Sequence, residues 1–484
     1  MKDWRAWFGP WRRGSGPAVA SLFHRLFALI SLAAWWSLGS QVRVLIGSRG
    51  LLPAAEFMDA VRAAGVSPFE VPTLFWRFHA DAVLVGGTWV GAALSIAALA
   101  GWRPRLCFGV STALYLSYAT VARMLLSFQW DNLLLECGLL ATFLPRNRPA
   151  PLVHFLFRMV LFKLYFESGL AKWQSPIHDW QDGSAMTYYY ETAPLPTVLG
   201  VFAHHLPVWW HHLESRAVLV LELIVPLFIF GPRRLRLAAA IVFGFFQIFN
   251  AATANYGFFC YLAAVLNVFL LDDTDLHRWI RIPPTEGGGA RGGQKTLLWL
   301  ARAATALWLL VSLIDALVQF TEPGRGLSLV APLFELNQRF RLVNSYHLFA
   351  SITRQRIEPQ FETADEDGPW IERDLRYKAG DPRRAPGFVA PHQPRIDFQL
   401  WFYGLAFQRR EPPYVSTLVE KLCNDPAAVQ PLFRDSLSPH PTAVRIAYWQ
   451  YQFASASERH ASGDWWRRAR IAESRAISCA GLRP

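Results

Sequence analysis

The chain has 484 residues, 52% of them hydrophobic and 14% aromatic, with only 17% charged and a formal net charge of +12. That profile excludes an ordinary soluble globular protein and points to a membrane protein over most of the length. A basic excess in such a protein belongs to cytoplasmic loops and sets orientation, so it does not argue for a nucleic-acid partner, and no nucleic-acid motif accompanies it.

The opening residues, MKDWRAWFGPWRRGSG, are basic and Trp-rich, the composition of an interfacial anchor over residues 1–18 on the cytoplasmic side. The apolar run that follows reaches Ile46. It is too long for a signal-peptide core and has no clear small-x-small site, which predicts a retained helix. A spanning helix needs about 20 mainly apolar residues. Candidates lie at 20–46, 79–101, 105–126, 130–145, 151–173, 215–231, 235–253, 256–271 and 296–318, the fourth and eighth being short. The expected fold class is therefore a polytopic α-helical membrane protein of about nine spans over residues 19–320, with the N-terminus inside and the C-terminus outside. The inner loops of that topology carry Arg103 and Arg105, Arg146 and Arg148, then Arg233, Arg234 and Arg236, while the outer loop 174–214 is rich in acids, aromatics and histidines. The positive-inside rule agrees at each turn.

Pro283–Gly293 (PPTEGGGARGG) is composed like a flexible linker. From about Thr321 the charge density rises and apolar residues alternate instead of running together. Ser351–Glu362, Ile371–Lys378, Ala443–Ala454 and Trp465–Ala472 alternate as strands do, and Ile396–Phe407 and Tyr414–Asn424 are helical in pattern. Residues 321–484 are thus expected to form an extramembrane α+β domain with a mainly antiparallel sheet. Cys107, Cys137 and Cys260 fall in apolar segments and pack there, whereas Cys423 and Cys479 can form one disulfide if the tail is exported.

Charges in the predicted spans carry the functional signal, because a charge at bilayer depth costs roughly 2.5–3.5 kcal/mol on insertion scales. The fifth span, LVHFLFRMVLFKLYFESGLAKW, holds Arg158, Lys163, Glu167 and Lys172. Lys163 and Glu167 share a helix face and can pair, as do Ser168 and Lys172. On the nine-span topology Arg123, Asp131, Asn132, Glu136, Glu222, Asn250 and Asn255 fall toward the same outer side. They predict a polar cavity there, roofed by the 174–214 loop and the tail, in which Asp131, Glu136, Glu167 and Glu222 balance Arg123, Arg158, Lys163 and Lys172. Such a set serves either as an ion network that fixes helix packing or as a working site. His178, His204, His205, His211 and His212 cluster in the outer loop with Trp180, Trp209 and Trp210. They have no carboxylate or cysteine partner at ligand spacing, so interfacial anchoring is the expectation and no metal is assigned. No GxSxG, HExxH or GxGxxG stands in a catalytic context.

FQWDNLLLE (128–136), FR…GLAKW (157–173), YYYETAPLP (188–196), HHLP (204–207), LELIVPLF (221–228), LVNSYHLFASITRQR (342–356) and PHQPRIDFQLWF (391–402) together resemble the lipase maturation factor family. The resemblance runs over nearly the whole chain. It implies a polytopic membrane protein whose C-terminal domain lies on the exported side and, in animals, an endoplasmic reticulum factor that helps secreted lipases mature. An exported, lipase-like client protein and membrane lipids are the implied partners. Tyr189, Glu191, His392 and Arg395, within these motifs, are then expected on the outer, client-facing surface. The chain ends Ala480-Gly481-Leu482-Arg483-Pro484 without a retention tetrapeptide, and its Arg/Ala-rich usage is bacterial in style. A bacterial inner membrane with a periplasmic tail is therefore expected, or the endoplasmic reticulum membrane in a eukaryote.

GLAKWQSPIHDWQDGSAM (169–186) is similar, more distantly, to the segment bearing the catalytic lysine of vitamin K-dependent γ-glutamyl carboxylases, with Gly169, Lys172 and Asp179-Trp180 matching. Trp130 and Asn132 match a second carboxylase run, but Leu133 stands where those enzymes carry a histidine. This likeness implies an alternative, a membrane enzyme with Lys172 as base and a quinone or lipid as co-substrate.

Overall fold

The computed structural model describes residues 16–276, 293–321, 331–366, 368–406 and 411–481. Residues 1–15 of the expected N-terminal anchor (1–18) and residues 283–292 of the expected linker (283–293) lie outside the described residues.

The first two thirds of the chain fold into helices: α1 (Pro17–Gly39), α2 (Ala54–Ala63), α3 (Asp81–Leu99), α4 (Pro104–Val121), α5 (Gln129–Thr142), α6 (Pro151–Trp173), α7 (Ala185–Thr192), α8 (Val198–His204), α9 (Val208–Leu223), α10 (Arg233–Thr253), α11 (Phe259–Leu266) and α12 (Gly293–Phe320). Proline opens α1, α4 and α6, where its fixed φ suits the first turn and its missing N–H is no loss. Among the described residues four helices are long and apolar enough to cross a membrane: α1, α3, α10 and, within α12, Leu298–Phe320. The rest of the nine expected segments are helical too, but shorter or charged. The fourth has 14 residues, the sixth passes after Leu223 into a tighter turn at Val225–Phe230, where Pro226 lacks a backbone donor, and the eighth does the same at Asn267–Leu270.

Small residues set the helix crossings, as they do where no water drives helices together. Gly91 lets the Trp35 ring lie against the α3 backbone, and Trp35 Nε1 then donates to Ser111 Oγ on α4 at 2.8 Å. Gly169 on α6 meets Glu222 on α9 so closely that an added Cβ would lie 2.8 Å from the Glu222 Cβ and 2.9 Å from its carbonyl carbon.

The tail forms the expected α+β domain. After α13 (Ala331–Phe340) an extended belt, residues 341–352, leads into an antiparallel sheet of β1 (Arg356–Ala364), β2 (Ile371–Arg373), β3 (Ala443–Phe453), β4 (Trp466–Glu473) and β5 (Ile477–Ser478), ordered β2-β1-β3-β4 with β5 beside β3. In the central pair Phe361 faces Ile446. The helix α14 (Arg395–Leu405) packs on β1, where any side chain at Gly404 would strike the Ile357 carbonyl. A disulfide between Cys423 on α15 (Pro413–Asn424) and Cys479 ties that helix to the residues that follow β5.

Candidate functional site

The charged face of α6 points at the belt. Lys163 Nζ lies 3.6 Å from Glu136 Oε1 on α5, 3.5 Å from Ser312 Oγ on α12, and over the Trp308 and Tyr346 rings at 5.0 and 5.8 Å. One turn on, Glu167 Oε2 accepts the Tyr346 backbone N–H at 2.8 Å. Lys172 Nζ sits 2.8 Å from Glu222 Oε2, donates to the Leu348 carbonyl at 2.8 Å, and lies 5.1 Å from the Trp180 ring centroid.

The belt is caught along its whole length. Glu136 Oε2 accepts from Asn344 N at 3.2 Å and from the Tyr346 hydroxyl at 2.7 Å. Gln129 Oε1 takes the His347 N–H at 3.0 Å, Trp180 Nε1 donates to the Phe349 carbonyl at 3.1 Å, and Asp179 Oδ2 takes the Ile352 N–H at 2.7 Å. Arg341, at the start of the belt, donates to the Leu126 carbonyl at 2.7 Å and to Asn132 Oδ1 at 3.3 Å. A segment without a sheet or helix of its own must find partners for its backbone groups. Here carboxylates, an ammonium and an indole supply them, and hydrogen bonds to charged groups are the stronger kind, worth about 1.5–3 kcal/mol each.

Four further clamps hold the tail. Arg395 Nη1 and Nη2 grip Asp131 at 2.5 and 2.8 Å, and the Tyr115 hydroxyl donates to the same carboxylate at 2.6 Å; Arg395 and Asp131 are fully buried. Asn255 donates to the Leu195 and Gly387 carbonyls and accepts the Val389 and Ala390 N–H groups at 2.7 and 3.0 Å. Arg356 donates to the carbonyls of Glu191, Ala193 and Pro194, while the Glu191 carboxylate accepts the Phe453 N–H at 2.7 Å. Burial pushes the Glu191 carboxyl up, with the Phe453 N–H opposing. His392 bonds Ser37 Oγ through Nδ1 at 3.0 Å, and burial, aided by the Arg395 charge, pushes its ring down to about 4.

Beside Lys172 and Glu222 lies a cavity of about 1080 Å³, walled mostly by aromatic and aliphatic side chains from α6, α9, α10, the belt and α14.

The chain matches the family model for the lipase maturation factor transmembrane domain over residues 18–278 and that for the lipase maturation factor C-terminal domain over 342–476. The chain belongs to the lipase maturation factor family. Bovine lipase maturation factor 1 is 30% identical, the alignment covering 92% of this chain and 86% of that protein. Human lipase maturation factor 2 is 29% identical over 93% of this chain and 81% of its own length, and the chicken protein of that name is 30% identical over 93% and 80%. No solved structure matches the chain significantly.

The lipase maturation factor fold rearranges the residues expected to act together. Lys163 does not pair with Glu167, one turn away, because Glu136 faces it and the belt supplies Glu167 with a donor. Asp131 finds Arg395 of the tail in place of a membrane cation. Arg123 is exposed, its guanidinium 5.0 Å above the Phe57 ring, so it belongs to no buried network. Arg158 donates to the Phe269 carbonyl at 2.7 Å, about 21 Å along the α6 axis from Lys172 at 1.5 Å per residue. The expected polar cavity is likewise replaced. The open volume is mainly apolar, and of the expected cavity residues Asn132, Glu222 and Asn250, with Lys172, line it.

Tyr189, Glu191, His392 and Arg395 are all buried, which corrects the expectation of a client-facing surface built from them. Each is a junction residue: the Tyr189 hydroxyl lies 2.7 Å from that of Tyr256, and the others join the tail to the helices. In the outer loop His211 bonds Glu214 and the His204 carbonyl, and the described residues contain no group of three or more potential ligands able to hold a metal. Sequence reasoning missed Arg341, Asn344, Tyr346 and Asp315. Asp315 was signalled by its place in the apolar run LWLLVSLIDALVQF, and it accepts from Ser345 Oγ of the belt and from Gln338 Nε2.

Proposed function

We propose that this chain is a maturation factor for exported proteins of the lipase class, with a membrane bundle that acts as a platform and a C-terminal domain that engages the client. The observation that carries the reading is the continuous set of buried polar clamps, from Arg341 to Arg395, between helices and tail. A domain held along such a footprint keeps a fixed orientation to the membrane, which suits the presentation of a surface to a protein emerging from that membrane. Membership of the lipase maturation factor family, with matches to both its domains, supports the client class.

The proposed topology keeps all nine helical segments as spans, with the N-terminus cytoplasmic and the tail exported, to the periplasm in a bacterium or the endoplasmic reticulum lumen in a eukaryote. The basic inner loops support it, and so does the Cys423–Cys479 disulfide, a bond that persists in oxidising compartments. With the family motifs largely buried, the client surface is proposed on the outward faces of the tail, where Phe388, Ile471 and Tyr377 are exposed.

The alternative assigns Lys172 to base catalysis with a quinone or lipid co-substrate. The neighbouring cavity is consistent with it, but the amine already bonds Glu222 and the Leu348 carbonyl, and removing a substrate proton would require it to leave them.

The deciding experiment co-expresses the chain with an exported lipase from the same cell and measures lipase activity per unit of exported lipase. Full-length chain is expected to raise that ratio and a chain lacking residues 321–484 to lose the effect. An intact ratio after the deletion would overturn the proposal.

A further inference from the structure

The cavity beside α9 and α10 carries an inference independent of client maturation. Its wall includes Val218 and Leu221 of α9 and Ile241 and Phe245 of α10, and both α10 residues are largely exposed on a helix apolar and long enough to cross a membrane. That side of the cavity therefore opens toward acyl chains and not toward water. Its volume, about 1080 Å³, lies just above the range of roughly 300–1,000 Å³ usual for ligand pockets, so it accepts a lipid-sized molecule.

Four polar atoms in this wall are buried and unanswered among the described residues and lie outside any ion pair, His347 Nδ1 and Thr353 Oγ1 on partly exposed residues and two on almost fully buried side chains. Gln247, 3% exposed, spends one end of its amide on the Tyr165 hydroxyl at 2.9 Å, and its other end has no partner. The indole N–H of Trp130, 4% exposed, has none either. A buried polar group left unsatisfied costs about 1–3 kcal/mol, so an occupant that satisfies it is favoured. The Tyr165 hydroxyl can donate to or accept from the amide, so the free end of Gln247 is an acceptor in one amide orientation and a donor in the other. A hydroxyl answers both; a quinone carbonyl answers only one. Charge selects further. Lys172 and Glu222 neutralise each other, and Glu214, the remaining carboxylate in the wall, already serves Tyr190 and His211. No free cation in the described wall invites an anionic headgroup.

We propose that the cavity is a lateral binding site for an uncharged, hydroxyl-bearing membrane lipid, its chain between α9 and α10 and its hydroxyl on the Gln247 amide. The test uses the full-length protein in nanodiscs and a monoacylglycerol carrying a diazirine on its acyl chain. Photolabelling is expected to map to α9 and α10. Unlabelled monoacylglycerol should compete at least about tenfold more strongly than the matching fatty-acid methyl ester, which lacks the hydroxyl, the factor expected for one buried hydrogen bond. Gln247→Leu should weaken labelling by a similar factor. Ala217→Trp, at an exposed position on the mouth, should block it without touching the amide and serves if Gln247→Leu lowers the melting temperature. Equal competition by the methyl ester, stronger competition by a quinone or an anionic phospholipid, or labelling undiminished in Ala217→Trp would each overturn the proposal.

Discussion

Arg395 and Asp131, 264 residues apart in sequence, meet in a two-pronged ion pair at 2.5 and 2.8 Å with neither side chain exposed. The pair joins the first turn of α14 to the first turn of α5, so the tail and the helical domain share one buried electrostatic bond.

Breaking that pair should cost more than deleting it. Arg395→Met leaves a buried carboxylate that keeps the Tyr115 hydroxyl and the charge of nearby Arg341 but loses its two-pronged partner, a loss of about 3–5 kcal/mol. Adding Asp131→Leu should recover a large share, since the uncompensated charge goes with it. Thermal unfolding of the purified single and double variants checks this, with limited proteolysis around 387–395 reporting release of the tail. A double variant no more stable than Arg395→Met would contradict it.

The same logic separates structure from chemistry at Lys172. Lys172→Met strands Glu222 and the Leu348 carbonyl, and about 3–5 kcal/mol of stability should go with it. Lys172→Met combined with Glu222→Met should regain most of that stability. If Lys172 is structural, client maturation returns with the fold in the double variant. Lost activity in a restored fold would instead assign it a chemical role.

Gly169→Ala tests the α6–α9 crossing. The new methyl would sit 2.8 Å from the Glu222 Cβ and 2.9 Å from its carbonyl carbon, inside contact distance, so the helices must separate. A loss of about 1–3 kcal/mol is expected, as for other overpacked interiors. It should appear as a lower melting temperature, and Gly244→Ala, where an added Cβ meets nothing within 4 Å, is the control.

Acid should loosen the junction at His392. Its ring is held down at about 4 by burial and the Arg395 charge, against 6.5 for the free side chain. The folded state therefore favours the neutral ring. The stability this gives is present above pH 6.5 and lost as pH falls toward 4, by about 3 kcal/mol at the limit. Asp397, pushed up to about 6 by burial, acts in the opposite sense: its contribution is present below pH 3.8 and lost as pH rises through 6. The clean measurement is the difference in unfolding free energy between wild type and His392→Asn across pH 4–7. That difference should shrink on acidification; a flat difference would exclude the ring as the source.

Much of the architecture was legible from residue order alone. Apolar runs of spanning length marked α1, α3, α10 and α12, and alternation marked β1, β3 and β4, because both periodicities come from a chain burying one face or all faces of a regular element. The charges of α6 were equally visible, since a lysine or glutamate in an apolar run must be answered by something. What answered them was not legible. Helical spacing offered Lys163 and Glu167 to each other, yet Glu136 and the Tyr346 backbone took them, and Asp131 waited for an arginine from the far end of the chain. The sequence by itself determined that buried charges exist and which segments are helix or strand. Only the tertiary structure decided their partners, because a buried charge is satisfied by whatever group the packing brings within about 3 Å, and that depends on contacts between distant segments that no local period records.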